Sequence, residues 1–343
     1  DHREDPTTLV GTQLTLEELT CREGGQAETA SSDAAAEPDF TLGTETGLTI
    51  GFDRSGQIVG ISQGHDELGG RGLFPLAGWF VSDYQRDEVP VALPGTMTRR
   101  GEDLVFSGQS DILQLRYEMT MRATGAYIDC RADIEDLSGE DRALMLQFRL
   151  PLTAEEAWTW HDGLYKQRDI NAGEDYRVLS TDQTGRNQRR LTAFPFAPLS
   201  CSEGNVCLGV PLWEEPRQFR MHAYKPHIGG PALVCEFDAG LSPVTERFPS
   251  GASYRFVIYG TETTFPFRRA VEAYQRFFPK QFECACDYHG NWANLSSHQD
   301  IPNVADYAIA WDRAHEGGPW ADMNRYVGND TRNIASCLYL RPG

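Results

Sequence analysis

Between residues 45 and 263 the hydrophobic positions of this chain recur with a period of two. "TGLTIGFDRSGQIVGISQG" sets Leu48, Ile50 and Phe52 on one face, turns at Asp53–Gly56 and resumes with Ile58 and Val59, which predicts a hairpin. In "DILQLRYEMTMRATGAYIDCRADIEDLSGEDRALMLQFRLPL" one side collects Leu113, Leu115, Tyr117, Met119 and Met121. Ile128, Cys130, Ala132 and Ile134 follow, and then Leu144, Leu146, Phe148 and Leu150. Three such runs, joined by "RATGA" and "DLSGED", predict an antiparallel meander. Further short runs, "RRLTAFPFAPL", "NVCLGVPL", "RQFRMHAY", "ALVCEFDAG" and "SYRFVIYG", are bounded by Gly, Pro or Asp. So many strands without intervening helices predict a mainly β fold, a large antiparallel β-sandwich of two sheets packed face to face.

At Thr264 the period changes to 3.6. Phe267, Val271, Tyr274 and Phe278 share one face, Pro266 suits a first turn and Pro279 a stop, so an amphipathic helix follows the strands. Beyond it, "VADYAIAWDRA" and "IASCLYLRPG" are short apolar runs of the kind that open an α/β segment. The division read from the pattern is therefore 1–44, an outlying strand and an acidic linker ("REGGQAETASSDAAAEPD"); 45–263, the sandwich; and 264–343, a connector helix and short α/β segment.

Charge narrows the partners. A net charge of −19 and a pI near 4.8 argue against nucleic acid and against anionic membrane surfaces, both of which call for a basic face. No apolar window is long enough to cross a bilayer as a helix, and the first residues hold no signal-peptide core. Eight cysteines without paired CxxC spacing point to disulfides in an oxidising compartment and hence to a secreted, extracellular protein. Cys201 and Cys207 bracket the loop "CSEGNVC", and Cys130 and Cys235 sit in apolar strands where a buried bridge or two inert thiols would fit. No phosphate loop, nucleophile elbow, zinc helix or EF-hand occurs, so neither a cofactor nor a metal is expected.

The succession "RRLTAFPFAPLSCSEGNVCLGVPLWEEPRQFRMHAY", "FDAGLSP…RFPSGASYRFVIYG", "FPFRRAVEAYQRFFPKQF" and "GNW" resembles secreted bacterial glycoside-hydrolase-like proteins. In these a galactose-mutarotase-like β-supersandwich precedes a (β/α)8-like barrel. The resemblance implies that the helix is the connector and that "GNW" lies on the first barrel strand or its loop. A closed barrel takes ~250 residues, so the segment after Thr264 implies an incomplete one. It further implies a missing C-terminal catalytic part, or a second domain reduced to a decoration of the sandwich.

Two clusters carry candidate carbohydrate chemistry. "EEAWTWHDGLY" gathers Trp158, Trp160, His161 and Asp162, indole faces for stacking on sugar C–H surfaces beside hydrogen-bonding groups, or else one core Trp with a polar rim. "PLWEEPRQFRMHAYKPH" supplies Trp213, Glu214, Glu215, Arg217, His222 and Tyr224, a saccharide-binding surface or an acidic strand-to-turn junction. A mutarotase-type reaction needs a carboxylate base and a histidine acid within reach of one sugar, and both residue types are present. Catalytic residues are not assignable from spacing. The expected function is a carbohydrate-active, glycoside-hydrolase-like protein that recognises a polysaccharide or glycan and holds no complete active site in this chain. The alternative is a structural subunit of an extracellular surface layer or fibre, formed by self-assembly.

Overall fold

A computed structural model describes residues 37–70 and 77–283, apart from 86, 162, 164–165, 174, 178–193, 213–218, 228 and 247, together with strands at 291–293, 309–313 and 335–337. Strands β1 (Phe40–Gly43), β2 (Leu48–Phe52), β3 (Ile58–Gln63) and β4 (Asp66–Gly69) form a four-stranded antiparallel sheet in sequential order. The β2–β3 turn is the predicted one. Asp53 Oδ1 accepts the backbone N–H groups of Ser55 and Gln57 at 2.8 and 2.9 Å, and Gly56 closes the turn at φ 79°.

The chain then alternates between two larger sheets. β5 (Gly78–Asp83) and β6 (Asp87–Ala92) begin a six-stranded sheet. β7 (Thr96–Arg100), β8 (Asp103–Ser110), β9 (Leu115–Ala123) and β10 (Ile128–Asp136) begin a nine-stranded one. β11 (Arg142–Pro151) returns to the six, β12 (Thr159–His161) and β13 (Gln167–Asp169) to the nine, and β14 (Asp175–Arg177) to the six. β15 (Phe196–Ser200) and β16 (Asn205–Gly209) join the nine, β17 (Phe219–Tyr224) and β18 (Ala232–Leu241) the six, and β19 (Gly251–Thr261) the nine. The spatial orders are β13-β12-β15-β16-β19-β10-β9-β8-β7 and β14-β17-β18-β11-β5-β6, with every pairing antiparallel. This is the mainly β sandwich that the period of two predicts.

The two large sheets meet through their alternate residues. Leu115, Tyr117, Met119 and Met121 of β9, and Leu144, Leu146, Phe148 and Leu150 of β11, are all buried to 2% exposure or less. Aromatic rings cross the layer between sheets. Trp79 and Phe148 lie 5.6 and 5.0 Å from Phe256, and Phe237 lies 5.0 Å from Tyr254. On the other side of the nine-stranded sheet, cross-strand pairs such as Arg116–Glu135 and Arg100–Glu118 stand in water at 2.9 and 2.8 Å. Exposed pairs of this kind contribute about 0–1 kcal/mol each, so the apolar layer carries the fold.

One expectation is corrected here. β9 and β10 pair as predicted, but the third run of the supposed meander, β11, pairs with β5 and β18 in the opposite sheet. The reason lies at the crossover. Arg142 donates to Asp136 at the end of β10 (2.6 Å), to Asp83 of β5 (2.9 Å) and to the Leu113 carbonyl (3.1 Å), with all three side chains essentially excluded from water. A buried guanidinium that needs both carboxylates ties the end of one sheet to the start of the other.

The described residues of 1–210 and 217–270 form one compact unit, and those of 211–216 and 271–343 a second. Helix α1 (Pro266–Phe277) begins in the first unit and ends in the second. Pro266 occupies its first turn, as expected. Phe267 packs on Phe194 and Phe196 with centroids 5.2 and 5.5 Å apart, and the Tyr259 hydroxyl donates to the Ala270 carbonyl at 3.3 Å. Ala270 is buried at that approach. After the helix, β20 (Asn291–Ala293), β21 (Ile309–Arg313) and β22 (Ala335–Cys337) form a parallel three-stranded sheet, with Asn291 and Trp292 of "GNW" on its first strand.

Cysteine pairing is the second correction for Cys201 and Cys207, while Cys130 and Cys235 take the inert-thiol alternative. Cys130, Cys201, Cys207 and Cys235 are buried free thiols. The "CSEGNVC" loop is closed by backbone, Cys201 N–H to Gly204 C=O at 2.8 Å, and the register sets Cys207 opposite Pro198 rather than near Cys201. Cys130 lies in the nine-stranded sheet, opposite Met121 and Phe256, and Cys235 in the six-stranded sheet, opposite Phe148 and Met221. Burial raises all four thiols above their ordinary pKa, which removes the reactive thiolate. Alkylation of the native protein is therefore expected to spare these four cysteines and alkylation after denaturation to label them. A linked Cys201–Cys207 or Cys130–Cys235 peptide in a non-reducing digest would contradict this.

Candidate functional site

The side of the six-stranded sheet that faces away from the core is polar but not exposed. Alternation along β17 turns Met221 and Ala223 inward and Arg220, His222 and Tyr224 outward; β18 turns out Val234, Glu236 and Asp238, and β11 turns out Met145, Gln147 and Arg149. Register then assembles them. Arg220, Glu236, Gln147 and Phe80 stand directly opposite one another in a single row across β17, β18, β11 and β5. His222, Val234 and Arg149 form the next row, and Tyr224 the one beyond it, opposite Ala232. Arg220, His222, Glu236 and Gln147 are only 5, 7, 4 and 5% exposed.

Glu236 is the hub. Its Oε1 accepts from Gln147 Nε2 at 2.9 Å and His222 Nε2 at 3.0 Å, and its Oε2 accepts from Arg220 Nε at 2.8 Å. Because a carboxylate only accepts, Nε2 is the protonated nitrogen of His222 in this contact. Burial alone would push the Glu236 carboxyl up; His222 and Arg220 outweigh it and hold the group far below the usual carboxylate range. Arg220 also forks onto both oxygens of Asp238 at 2.6 Å. Burial would lower its pKa, but Asp238 and Glu236 outweigh that and raise it.

A second layer stands outward of this hub. Arg149 donates through Nε and Nη2 to Gln147 Oε1 at 3.1 and 2.7 Å, and its guanidinium lies 4.0 Å from the centre of the Phe80 ring. Burial pulls its pKa down to about 10, so it stays charged at neutral pH. Arg149 is half-buried, Asp238 keeps 28% of its side chain in solvent and Tyr224 is 40% exposed. Arg149, Asp238 and Tyr224 are thus the groups a ligand would meet; Gln147 holds Arg149 and Arg220 holds Asp238, with Glu236 and His222 behind them. A carboxylate that already accepts three donors and titrates far below neutrality is suited to holding groups in place and poorly suited to taking a proton.

Of the residues singled out from the sequence, His222 and Tyr224 come together on this face. Trp158 and Trp160, considered as stacking platforms, are 3 and 0% exposed and belong to the core, where their ring faces are taken up by packing. Trp158 Nε1 donates to the Thr153 carbonyl at 2.9 Å. His161 is buried as well, 2.7 Å from Ser200 Oγ. Asp162, Trp213, Glu214, Glu215 and Arg217 lie outside the described residues. Arg149, Gln147, Arg220, Glu236 and Asp238 were missed. Their signal was present in "LMLQFRL" and "LVCEFDAG", where polar residues take every second place in otherwise apolar strands. Among the described residues no group of three or more His, Cys, Asp or Glu side chains is arranged to hold a metal.

No family model and no curated protein matches the sequence. Solved structures do match the fold. A galactose mutarotase related enzyme of Lactobacillus acidophilus aligns at 10% identity and TM-score 0.38, over 66% of this chain and 98% of its own. A galactose mutarotase-like protein of Lactobacillus casei aligns at 8% and 0.39, over 65% and 100%. The chain is similar in fold to galactose-mutarotase-like sandwiches. A GH36 α-galactosidase of Geobacillus stearothermophilus, solved in complex with stachyose, aligns at 11% and 0.47, over 88% of this chain and 56% of its own. At these identities, and with TM-scores below 0.5, no residue role is carried across.

Proposed function

We propose that this mutarotase-like sandwich binds a saccharide on the outward face of its six-stranded sheet, as the recognition part of an exported carbohydrate-active protein. The single observation that carries the reading is the two-layer polar cluster, with Arg149 and Asp238 presented by the hydrogen-bonded set Gln147, Glu236, Arg220 and His222, and Tyr224 exposed on the same face. Sugar hydroxyls both donate and accept, so they are matched by planar donors and acceptors fixed side by side, with an aromatic surface for the ring C–H groups. Here Asp238, Arg149 and Tyr224 are spaced along one face of the sheet, and the hydrogen bonds that support Arg149 and Asp238 are in place before a ligand arrives, which lowers the entropic cost of binding. Holding rather than chemistry is the role that suits the ionised, triply bonded Glu236. The glycoside-hydrolase-like succession of strands and helix agrees with this reading.

Titration of the full chain with an oligosaccharide panel tests it. At least one glycan is expected to bind with saturable heat, and Tyr224→Ala to weaken it about fivefold or more, as loss of an exposed aromatic contact does, without change in thermal midpoint. Absence of binding across the panel, or equal affinity in Tyr224→Ala, would reject the reading.

A further inference from the structure

We propose that the saccharide recognised on this face carries an oxyanion, a carboxylate or a sulfate group, seated on the free edge of the Arg149 guanidinium. This rests on the saccharide reading above and goes beyond it by naming the charge of the ligand. A guanidinium has five N–H donors along its edges. Arg149 spends one edge, Nε and Nη2, on a neutral amide oxygen, that of Gln147, and lays one face against Phe80. Its Nη1 group has no partner among the described residues, and the residue is only partly buried.

The contrast with the two buried arginines is chemical. Arg142 holds Asp83 and Asp136, and Arg220 holds Glu236 and Asp238, two carboxylates each. Arg149 holds none directly, in a chain where 50 Asp and Glu outnumber 31 Lys and Arg. Glu236 acts on it through its charge but makes no hydrogen bond to it; Gln147 bridges the two, its amide nitrogen bound to that carboxylate and its amide oxygen thereby aimed at Arg149. That relay fixes the plane of the fork. A fixed, partly buried fork with an open edge matches the two oxygens of a carboxylate or sulfate, whereas neutral hydroxyls would add no charge to the partial compensation from Glu236. Burial pulls the Arg149 pKa down, and the charges of Glu236 and Tyr224 offset only part of that pull.

The test titrates the full chain with neutral, uronate-containing and sulfated oligosaccharides of equal length, and with sodium sulfate alone. Acidic glycans are expected to bind at least about tenfold more tightly than neutral ones, as a bidentate charge-assisted pair provides, and sulfate to compete with them. Arg149→Met, which keeps the stem over Phe80, should abolish the preference while the thermal midpoint stays near that of the parent. Should that variant fail to fold, Arg149→Lys, charged but without the fork, is expected to lose most of the preference. Equal affinity for neutral and acidic glycans, or a preference unchanged in the variants, overturns the anion seat and leaves the saccharide reading standing. Sulfate bound through Arg149 with no glycan bound overturns the saccharide reading instead, and no binding by any probe overturns both.

Discussion

Replacing Arg142 by methionine is expected to cost the sandwich about 3–5 kcal/mol, roughly 10 °C in thermal midpoint for a unit of this size. The guanidinium is 1% exposed and faces Asp83 and Asp136, themselves 3 and 1% exposed, so its removal leaves two carboxylates in the interior without their cation. Asp136 retains the Ser138 hydroxyl and the Gly139 N–H, and Asp83 the Gln85 N–H, which soften the loss without supplying charge. The magnitude comes from breaking the cluster, not from its intrinsic worth. Hence Arg142→Met combined with Asp83→Asn and Asp136→Asn is expected to be more stable than Arg142→Met alone. Calorimetry of the parent, the single and the triple variant decides the matter. A single variant melting within about 2 °C of the parent, well under the shift expected for such a loss, would show that the crossover does not depend on this arginine.

The second large effect is acid sensitivity centred on Glu236. Its folded pKa is depressed below the ordinary 4.5, because His222 and Arg220 together outweigh burial. A depressed carboxylate binds fewer protons folded than unfolded, so its contribution is fully present above the unfolded pKa and is lost as pH falls below it. Glu236→Gln is expected to cost about 3 kcal/mol near neutrality, since it withdraws the charge from two buried donors. The gap between parent and variant should then shrink progressively as the pH is lowered from about 4.5, the remaining carboxylates cancelling in the difference. Urea unfolding of both proteins across that range measures the gap. Parallel stability curves would remove Glu236 from the centre of the cluster.

Much of this architecture is local and therefore readable before any coordinates. A period of two is a property of neighbouring residues, so the strands, the β2–β3 hairpin with its Asp53 and Gly56, and the switch to helix read at Thr264 and observed from Pro266 follow from the chain alone. The period says which residues share a face. It does not say which sheet a strand joins, because that depends on partners far along the chain. β11 illustrates this: its sequence neighbour β10 is in one sheet, while β18, about ninety positions away, is its companion in the other.

The same division applies to the site. That Glu236 and Gln147 are polar residues set in apolar strands is visible in the sequence. That they meet each other, and that Arg220, His222 and Arg149 converge on them, is decided by the register of three strands from distant parts of the chain. Trp158 and Trp160 show the converse. Composition makes an indole a candidate for either core or sugar platform, and only packing consigns these two to the interior. The cysteines follow suit, since a short spacing in sequence brings thiols together only if the hairpin register allows it, and here Pro198, not Cys201, faces Cys207. The sequence by itself determined the elements and their inward faces, because those rest on interactions within a few residues. The tertiary structure alone decided sheet membership, thiol pairing and the assembly of the polar cluster, because each of these depends on contacts whose members are brought together only when the chain has folded.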